Sequence, residues 1–293
     1  MKRILIKIAL ICLFTSLFVC QSFPVKAANF KEPFAVLLMG IDTGDKGRTD
    51  RGRSDVLMVA TVNPSTEKVV VTSIPRDAYV DIPGHGMDKI NHAYAFGGAD
   101  LSRETVQSWL GIEIPYHVCV DMKGLADIVD AVGGVDVVPP SSFDIGGYSF
   151  VEGQQTHVNG DQALAYARER YTSGGDYARQ ERQRQILLGI VNSGLANASG
   201  IKDILSMATQ IEHYLDTNLS LIDLGSLALE HRDLKPQIEF NQFQGEGTKI
   251  DGIYYDQITE DSLQENLKII KSELEVSPEN IENKENSINK PAN

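Results

Sequence analysis

The 293-residue sequence predicts a single layered α/β/α domain with a central mixed sheet flanked by helices. Three observations carry that expectation. Short apolar runs of strand length recur (FAVLLMGI, DVLMVATVN, KVVVTSI), without the polar alternation of a sheet that faces water. Stretches with helical spacing are interleaved with them and follow them. No internal repeat is visible, so one core rather than an array of units is expected.

The elements follow in order. Phe34–Ile41 reads as a buried strand ending beside a Gly, and Asp55–Asn63 as a second. Asn63-Pro64-Ser65-Thr66 is a turn signal, so Lys68–Ile74 returns as a hairpin partner. Leu101–Leu110 reads as a helix and Tyr116–Val120 as a strand. Met122–Val132 is an amphipathic helix stopped by Gly133-Gly134, and Val135–Val138 a strand stopped by Pro139-Pro140. Gly160–Ala167 and Asp176–Leu195 read as helices, with two more near 201–215 and 219–231. Ile238–Phe243 is a late strand and Thr259–Glu275 a last helix.

Both ends differ from this body. Lys2, Arg3 and Lys7 precede a nearly continuous apolar run from Ile8 to Phe23, and Val25-Lys26-Ala27 resembles a small-residue cleavage site. That is the layout of an export signal over residues 1–27, cleaved or retained as a signal anchor. The domain then occupies 28–275. Residues 276–293, rich in Asn, Glu, Lys, Ser and Pro, lack the apolar surface to offset their ordering entropy and are expected to be a disordered polar tail. Cys12 and Cys20 lie in the leader, so the body holds Cys119 alone and no internal disulfide.

Charge narrows the function classes. The formal net charge is −13; four of the 27 basic groups and none of the 40 acidic ones lie in residues 1–27, which leaves the body at −17. A body this acidic is unsuited to non-specific nucleic-acid binding, and an anionic ligand requires a local cluster of positive charge. No Gly-x-Ser-x-Gly elbow and no His-Glu-x-x-His is present, and neither Gly97-Gly98 nor Gly133-Gly134 is followed by a P-loop Lys.

Such clusters exist, and they are made of arginine, the residue that grips phosphate bidentately. Ten of the 12 Arg lie between Arg48 and Arg184. Arg51-Gly52-Arg53-Ser54-Asp55 precedes the second predicted strand and Arg76-Asp77 follows the third, positions where open α/β sheets place ligands. Arg168 and Arg170 stand two apart where a short helix fades; in an extended segment they share a face. Asp176, Arg179, Arg182 and Gln183 fall at three- and four-residue steps on one helix. Asp42, at the end of the first strand, and Asp55 together offer two carboxylates to a hard cation such as Mg²⁺. Each feature alone also reads as solvated loop charge, a salt-bridged helix or a turn cap.

The ordered set LLMGID, GRSDVLMVATVNP, VVVTSIPRDAYVDIPG, DKINHAYAFGG, VDMKGLADIVDAVGGVDV, GQQTHVNGDQALAYARER and DYARQERQRQ resembles the LytR–CpsA–Psr family of cell-wall glycopolymer ligases, from about Phe34 to Gly194. The resemblance implies an α/β domain enclosing a pocket for a polyprenyl chain. It also implies transfer of a polyprenyl-pyrophosphate-linked glycopolymer (teichoic acid, capsule or similar), with one phosphate, to a peptidoglycan hydroxyl, releasing polyprenyl phosphate at the extracytoplasmic membrane surface. Position by position, it assigns Mg²⁺, with Mn²⁺ as a substitute, to Asp42 and Asp55, and the pyrophosphate to Arg53, Arg76, Arg168 and Arg170. Arg179, Arg182 and Gln183 line the same head-group site, and Lys89, in DKIN, lies near its mouth. Arg53, Arg76 and Asp77 are the candidates for the reacting centre. Leu125 departs from the family pattern, standing where an aromatic is common. Two other readings stay open on the residues: a hydrolase with water as acceptor, and a non-enzymatic lipid-binding envelope regulator.

Overall fold

A computed structural model describes residues 30–43, 51–170, 174–197 and 237–275, together with 206, 209, 214–220, 223 and 225–227. The predicted leader 1–27, Arg48, the tail 276–293 and most of the helices expected near 201–215 and 219–231 lie outside the described residues.

The predicted layered α/β class holds. Strands β1 (Phe34–Ile41), β2 (Ser54–Asn63) and β3 (Lys68–Ser73) form an antiparallel meander. β6 (Tyr116–Asp121) joins β1 in parallel, β12 (Gln237–Gln242) joins β3 in parallel, and β11 (Leu215–Thr217) closes the other edge antiparallel to β6. The six-stranded order is β11-β6-β1-β2-β3-β12.

Strand alternation sorts the side chains between two faces. On one face Leu37, Met39, Leu57 and Val59 pack against helices α1 (His92–Leu110) and α5 (Glu260–Glu275), with Val106, Leu110 and Ile270 filling the gap. The opposite face looks toward α2 (Met122–Ala131), α3 (Gly160–Arg168) and α4 (Gly175–Asn197), which share a second core with Phe143, Phe150 and Tyr166. There the sheet is not sealed: Leu38, Gly40, Val56, Val118 and Val120 are half-buried, while the residues between them are mostly fully buried. Apolar side chains that alternate with a complete core yet stay partly open mark a cavity above that face.

Helix ends follow local chemistry. Asp121 caps α2 by accepting from the Gly124 N–H at 2.7 Å, and Gly134 N–H reaches back to the Val129 carbonyl at 2.8 Å, as the Gly-Gly stop predicts. Asn159 and Gln162 form a reciprocal capping box at the start of α3. Two expectations change. The helix expected from Leu101 begins at His92, because Gly97-Gly98 makes a kink at Gly98 (φ 72°) within the helix rather than a boundary before it. The sequence also gave no expectation for the hairpin of β13 (Gly245–Ile250) and β14 (Ile253–Ile258), whose two-residue turn Asp251-Gly252 has both φ positive. A smaller hairpin, β4 (Tyr79–Ile82) with β5 (Gly86–Lys89), carries Lys89, and the short strands β7 (Val135–Val137) with β10 (Thr156–Val158) and β8 (Phe143–Ile145) with β9 (Tyr148–Phe150) form two further antiparallel pairs.

One contact fixes how α3 seats on α2. A Cβ added at Gly160 meets the Ala126 carbonyl oxygen at 2.2 Å, and backbone cannot swing aside as a side chain can. Gly160→Ala is therefore expected to cost roughly 1–3 kcal/mol or more, read as a lowered thermal midpoint.

Candidate active site

The cavity between the sheet and α2–α4 has a volume of about 870 Å³. Its body is apolar, built from the half-open sheet face with Leu125, Ile128, Leu164, Ile186, Leu187 and Ile190 from the helices. At its charged end stand Arg76, Arg168, Arg170, Arg179 and Gln183, with Asp42, Asp55 and Asp121. The sheet explains the carboxylates: β1 and β2 place Asp42 and Asp55 at neighbouring strand ends, and Asp121 is the register partner of Ile41 on β6.

Arg76 is the hub. Its Nη1 donates to Asp55 Oδ1 at 2.8 Å, and its Nε lies 3.4 Å from Asp176 Oδ1 and 3.7 Å from Asp77 Oδ2. Burial opposes its charge, but Asp55 and then Asp176 and Asp77 outweigh that, and the guanidinium pKa is raised. Arg179 pairs with Asp176 Oδ1 at 2.6 Å and donates to the Asp55 carbonyl oxygen at 3.3 Å. Its pKa moves down, through burial first, with Asp176 opposing and the like charges of Arg76 and Arg170 adding to the fall. It remains a cation at neutral pH, as arginine does in proteins.

The site is under-satisfied. The buried Nε of Arg76, Nε of Arg179 and Oε1 of Gln183 make no hydrogen bond among the described residues. Arg76 Nε keeps its longer ion-pair contacts with Asp176 and Asp77, so its charge is balanced even without a hydrogen bond.

Arg168 and Arg170 both line the cavity, because the chain leaves α3 at Glu169 in extended conformation (φ −63°, ψ 132°) and alternates its side chains. Glu169 points away and is buried against Arg182, whose Nη2 lies 3.1 Å from Glu169 Oε2 and also donates to the Glu169 carbonyl. Arg182, which the resemblance assigns to the same head-group site, does not line the cavity. Successive helical residues turn by about 100°, so Arg179 and Gln183 share the cavity face while Arg182 swings off it. There it is fully buried, 5.3 Å from the Phe143 ring centroid. Arg182 therefore holds the segment that carries Arg168 and Arg170.

Three other expected residues lie outside the cavity lining. Arg53 is exposed; its backbone N–H donates to Asp42 Oδ1 at 2.5 Å. Asp77 and Lys89 pair at 2.8 Å on the outer flank of Arg76. Two residues were missed as site members: Asp121, which reads as a helix cap, and Asp176, whose spacing to Arg179 was visible but whose contact with Arg76 depends on the fold.

For a metal, the residues fit a partial shell. No group of three or more His, Cys, Asp or Glu among the described residues is placed to hold an ion by itself. Two carboxylates on adjacent strands, facing a site built for an anion, suit Mg²⁺, which takes one or two carboxylates and completes its shell with phosphate oxygens and water.

The cavity is apolar along its body and carries guanidinium and carboxylate groups at one end, the polarity of an amphiphile with a charged head. The LytR_cpsA_psr family model matches residues 19–272, and the chain belongs to that family. It is 44% identical over 248 residues to the polyisoprenyl-teichoic acid–peptidoglycan teichoic acid transferase TagU of Enterococcus faecalis, covering 84% of this chain and 81% of that protein. The crystal structure of Bacillus subtilis TagU superposes with a TM-score of 0.66 at 40% identity, over 84% of this chain and 99% of that one. The structure of TagT bound to LIIa-WTA superposes at 0.70 with 32% identity, over 84% and 92%.

Proposed function

We propose that this chain is a phosphotransferase that moves a teichoic-acid-type glycopolymer from a polyprenyl-pyrophosphate carrier to a peptidoglycan hydroxyl, at the outer face of the cell membrane. The observation that carries this reading is the joining of an apolar cavity of about 870 Å³ to a partly buried arginine cluster. The names of the relatives supply the substrate class.

The polyprenyl chain occupies the apolar body, and the pyrophosphate lies at Arg76, Arg168, Arg170 and Arg179. The acceptor hydroxyl oxygen attacks the polymer-side phosphorus. A P–O bond to the acceptor forms and the bridging P–O bond breaks, with its electron pair leaving on polyprenyl phosphate. The hydroxyl proton ends on that phosphate, which gains basicity as the bridge breaks. Such a reaction asks mainly for positioning and charge stabilisation. Arg76 meets this need: it is locked by three carboxylates before substrate arrives. Mg²⁺ held by Asp42 and Asp55 would neutralise charge on the phosphate oxygens. Asp77 and Lys89 act as positioning residues behind Arg76, and Arg53 contributes through its backbone.

The test is acceptor dependence. The full chain in detergent, given Mg²⁺ and a polyprenyl-pyrophosphate oligosaccharide, is expected to release polyprenyl phosphate only when a peptidoglycan oligomer is present. Release at an unchanged rate without acceptor, and with no conjugate, contradicts the reading and makes the chain a hydrolase. The lipid slot has its own test. Leu164 faces the cavity from α3; Leu164→Trp fills space the lipid needs, and is expected to weaken long-chain donor binding about tenfold or more while sparing a short-chain analogue in the same calorimetric titration.

A further inference from the structure

Three carboxylates hold Arg76, and one of them, Asp176, is supplied by a helix, in the first turn of α4. Its Oδ1 lies 3.4 Å from Arg76 Nε and 2.6 Å from Arg179 Nη2. The next residue pins that helix end. The Tyr177 hydroxyl donates to Asp256 Oδ2 and accepts from the Gly245 N–H, both at 2.8 Å. One turn on, the buried Gln180 accepts from Gln242 Nε2 at 2.8 Å and donates to Asp176 Oδ2 at 3.4 Å. The far end of the tether, Asp256 on β14, is buried. Its N–H donates to the Asp77 carbonyl at 2.9 Å, and it bridges Ala78. One residue therefore anchors both the segment that follows Arg76 and the helix turn that brings Asp176 to it.

Stability alone does not call for this arrangement. Burial raises the Asp256 pKa; the Tyr177 hydrogen bond opposes the rise, and the like charges of Asp176 and Asp77 add to it. Burial also raises the Tyr177 pKa, so its hydroxyl stays a donor. A buried carboxylate near two others is a poor stabiliser beside plain apolar packing of the same volume. What it supplies is direction, since two bonds at one hydroxyl fix where the first turn of α4 sits. The fit is close: a Cβ added at Gly245 meets Asp256 Oδ1, so glycine brings that N–H to the hydroxyl without displacing the carboxylate. Position is also what the arginine cluster is sensitive to. The 3.4 Å contact between Asp176 and Arg76 is already long beside the roughly 2.8 Å of a close charge-assisted bond, so a small shift of α4 releases it. Misplacement by about 1 Å costs on the order of 10²-fold in a reacting geometry.

We propose that Tyr177 is a positioning residue for the pyrophosphate site: its hydroxyl, tied to Asp256 and Gly245, sets Asp176 against Arg76 and Arg179. This rests on the transferase reading for its meaning, but its test needs no turnover. The full chain in detergent micelles is titrated calorimetrically with farnesyl pyrophosphate and Mg²⁺. The wild type is expected to bind, and Tyr177→Phe, which keeps the ring and its packing, about tenfold more weakly. Asp256→Asn, which keeps an acceptor for the hydroxyl, should bind about fivefold more tightly than Tyr177→Phe. The deciding arm is the Asp176→Ala background. There, Tyr177→Phe should weaken binding less than about twofold further, because the group it positions is already gone; a merely structural loss would add in full. Wild-type affinity in Tyr177→Phe, or a tenfold loss in both backgrounds, overturns the role. No binding by the wild type overturns it together with the pyrophosphate site. A chain that shows the coupling yet forms no conjugate with a peptidoglycan oligomer keeps the positioning role and rejects the transferase.

Discussion

Arg76→Ala is expected to lower transfer on the order of 10³-fold, about 4 kcal/mol of transition-state stabilisation. The guanidinium is held before substrate arrives by Asp55, Asp176 and Asp77, so little reorganisation is needed when charge develops on the phosphate. Its removal also leaves three carboxylates at the mouth without that cation, turning an attractive site toward repulsion of a pyrophosphate. Arg76→Lys should recover only part of the rate, since a single ammonium cannot span carboxylates on both sides. Steady-state transfer and a thermal melt on the same samples check this. A rate loss with a retained cooperative melt is the expected pairing; an Arg76→Ala protein that still transfers at a wild-type rate removes Arg76 from the centre.

The second large effect falls on stability. Arg182 is fully buried and so is its partner Glu169, at 3% exposure. Arg182→Met leaves a carboxylate buried without that cation, a change that costs about 3–5 kcal/mol in comparable pairs. For a chain of this size, that is a fall in thermal midpoint on the order of 10 °C. The double variant Arg182→Met, Glu169→Gln should recover a large part of it, because the stranded charge goes with its partner. Transfer should fall in the single variant as well, since Glu169 sits between Arg168 and Arg170 and fixes which way they point. A single variant as stable as wild type would mean that the pair is not a structural anchor.

Much of the fold was legible in the sequence because burial on both faces writes continuous apolar strands. Phe34–Ile41 and the hairpin after it appear where the apolar runs and the Asn63-Pro64 turn put them. The β13–β14 hairpin was not, since GEGTKI carries one large apolar residue; its only local signal was Asp251-Gly252. The arginine cluster was partly legible. Period-two spacing placed Arg168 and Arg170 together, whereas the spacing of Arg182 fitted a helical face that its actual direction avoids. The family resemblance implied a pocket, but its lining could not be read from the residues: Leu38, Val120 and Ile190 are as apolar lining a void as filling a core.

One phosphate is expected to pass from the lipid carrier to a sugar hydroxyl at Arg76. The decisive measurement is mass analysis of the product formed by the full chain from a polyprenyl-pyrophosphate oligosaccharide, Mg²⁺ and a peptidoglycan oligomer. The predicted product joins the two glycans through a single phosphodiester, with polyprenyl phosphate in equal amount, and is lost with Arg76→Ala. A conjugate without phosphorus, or polyprenyl phosphate beside a free sugar phosphate and unmodified acceptor, would contradict it.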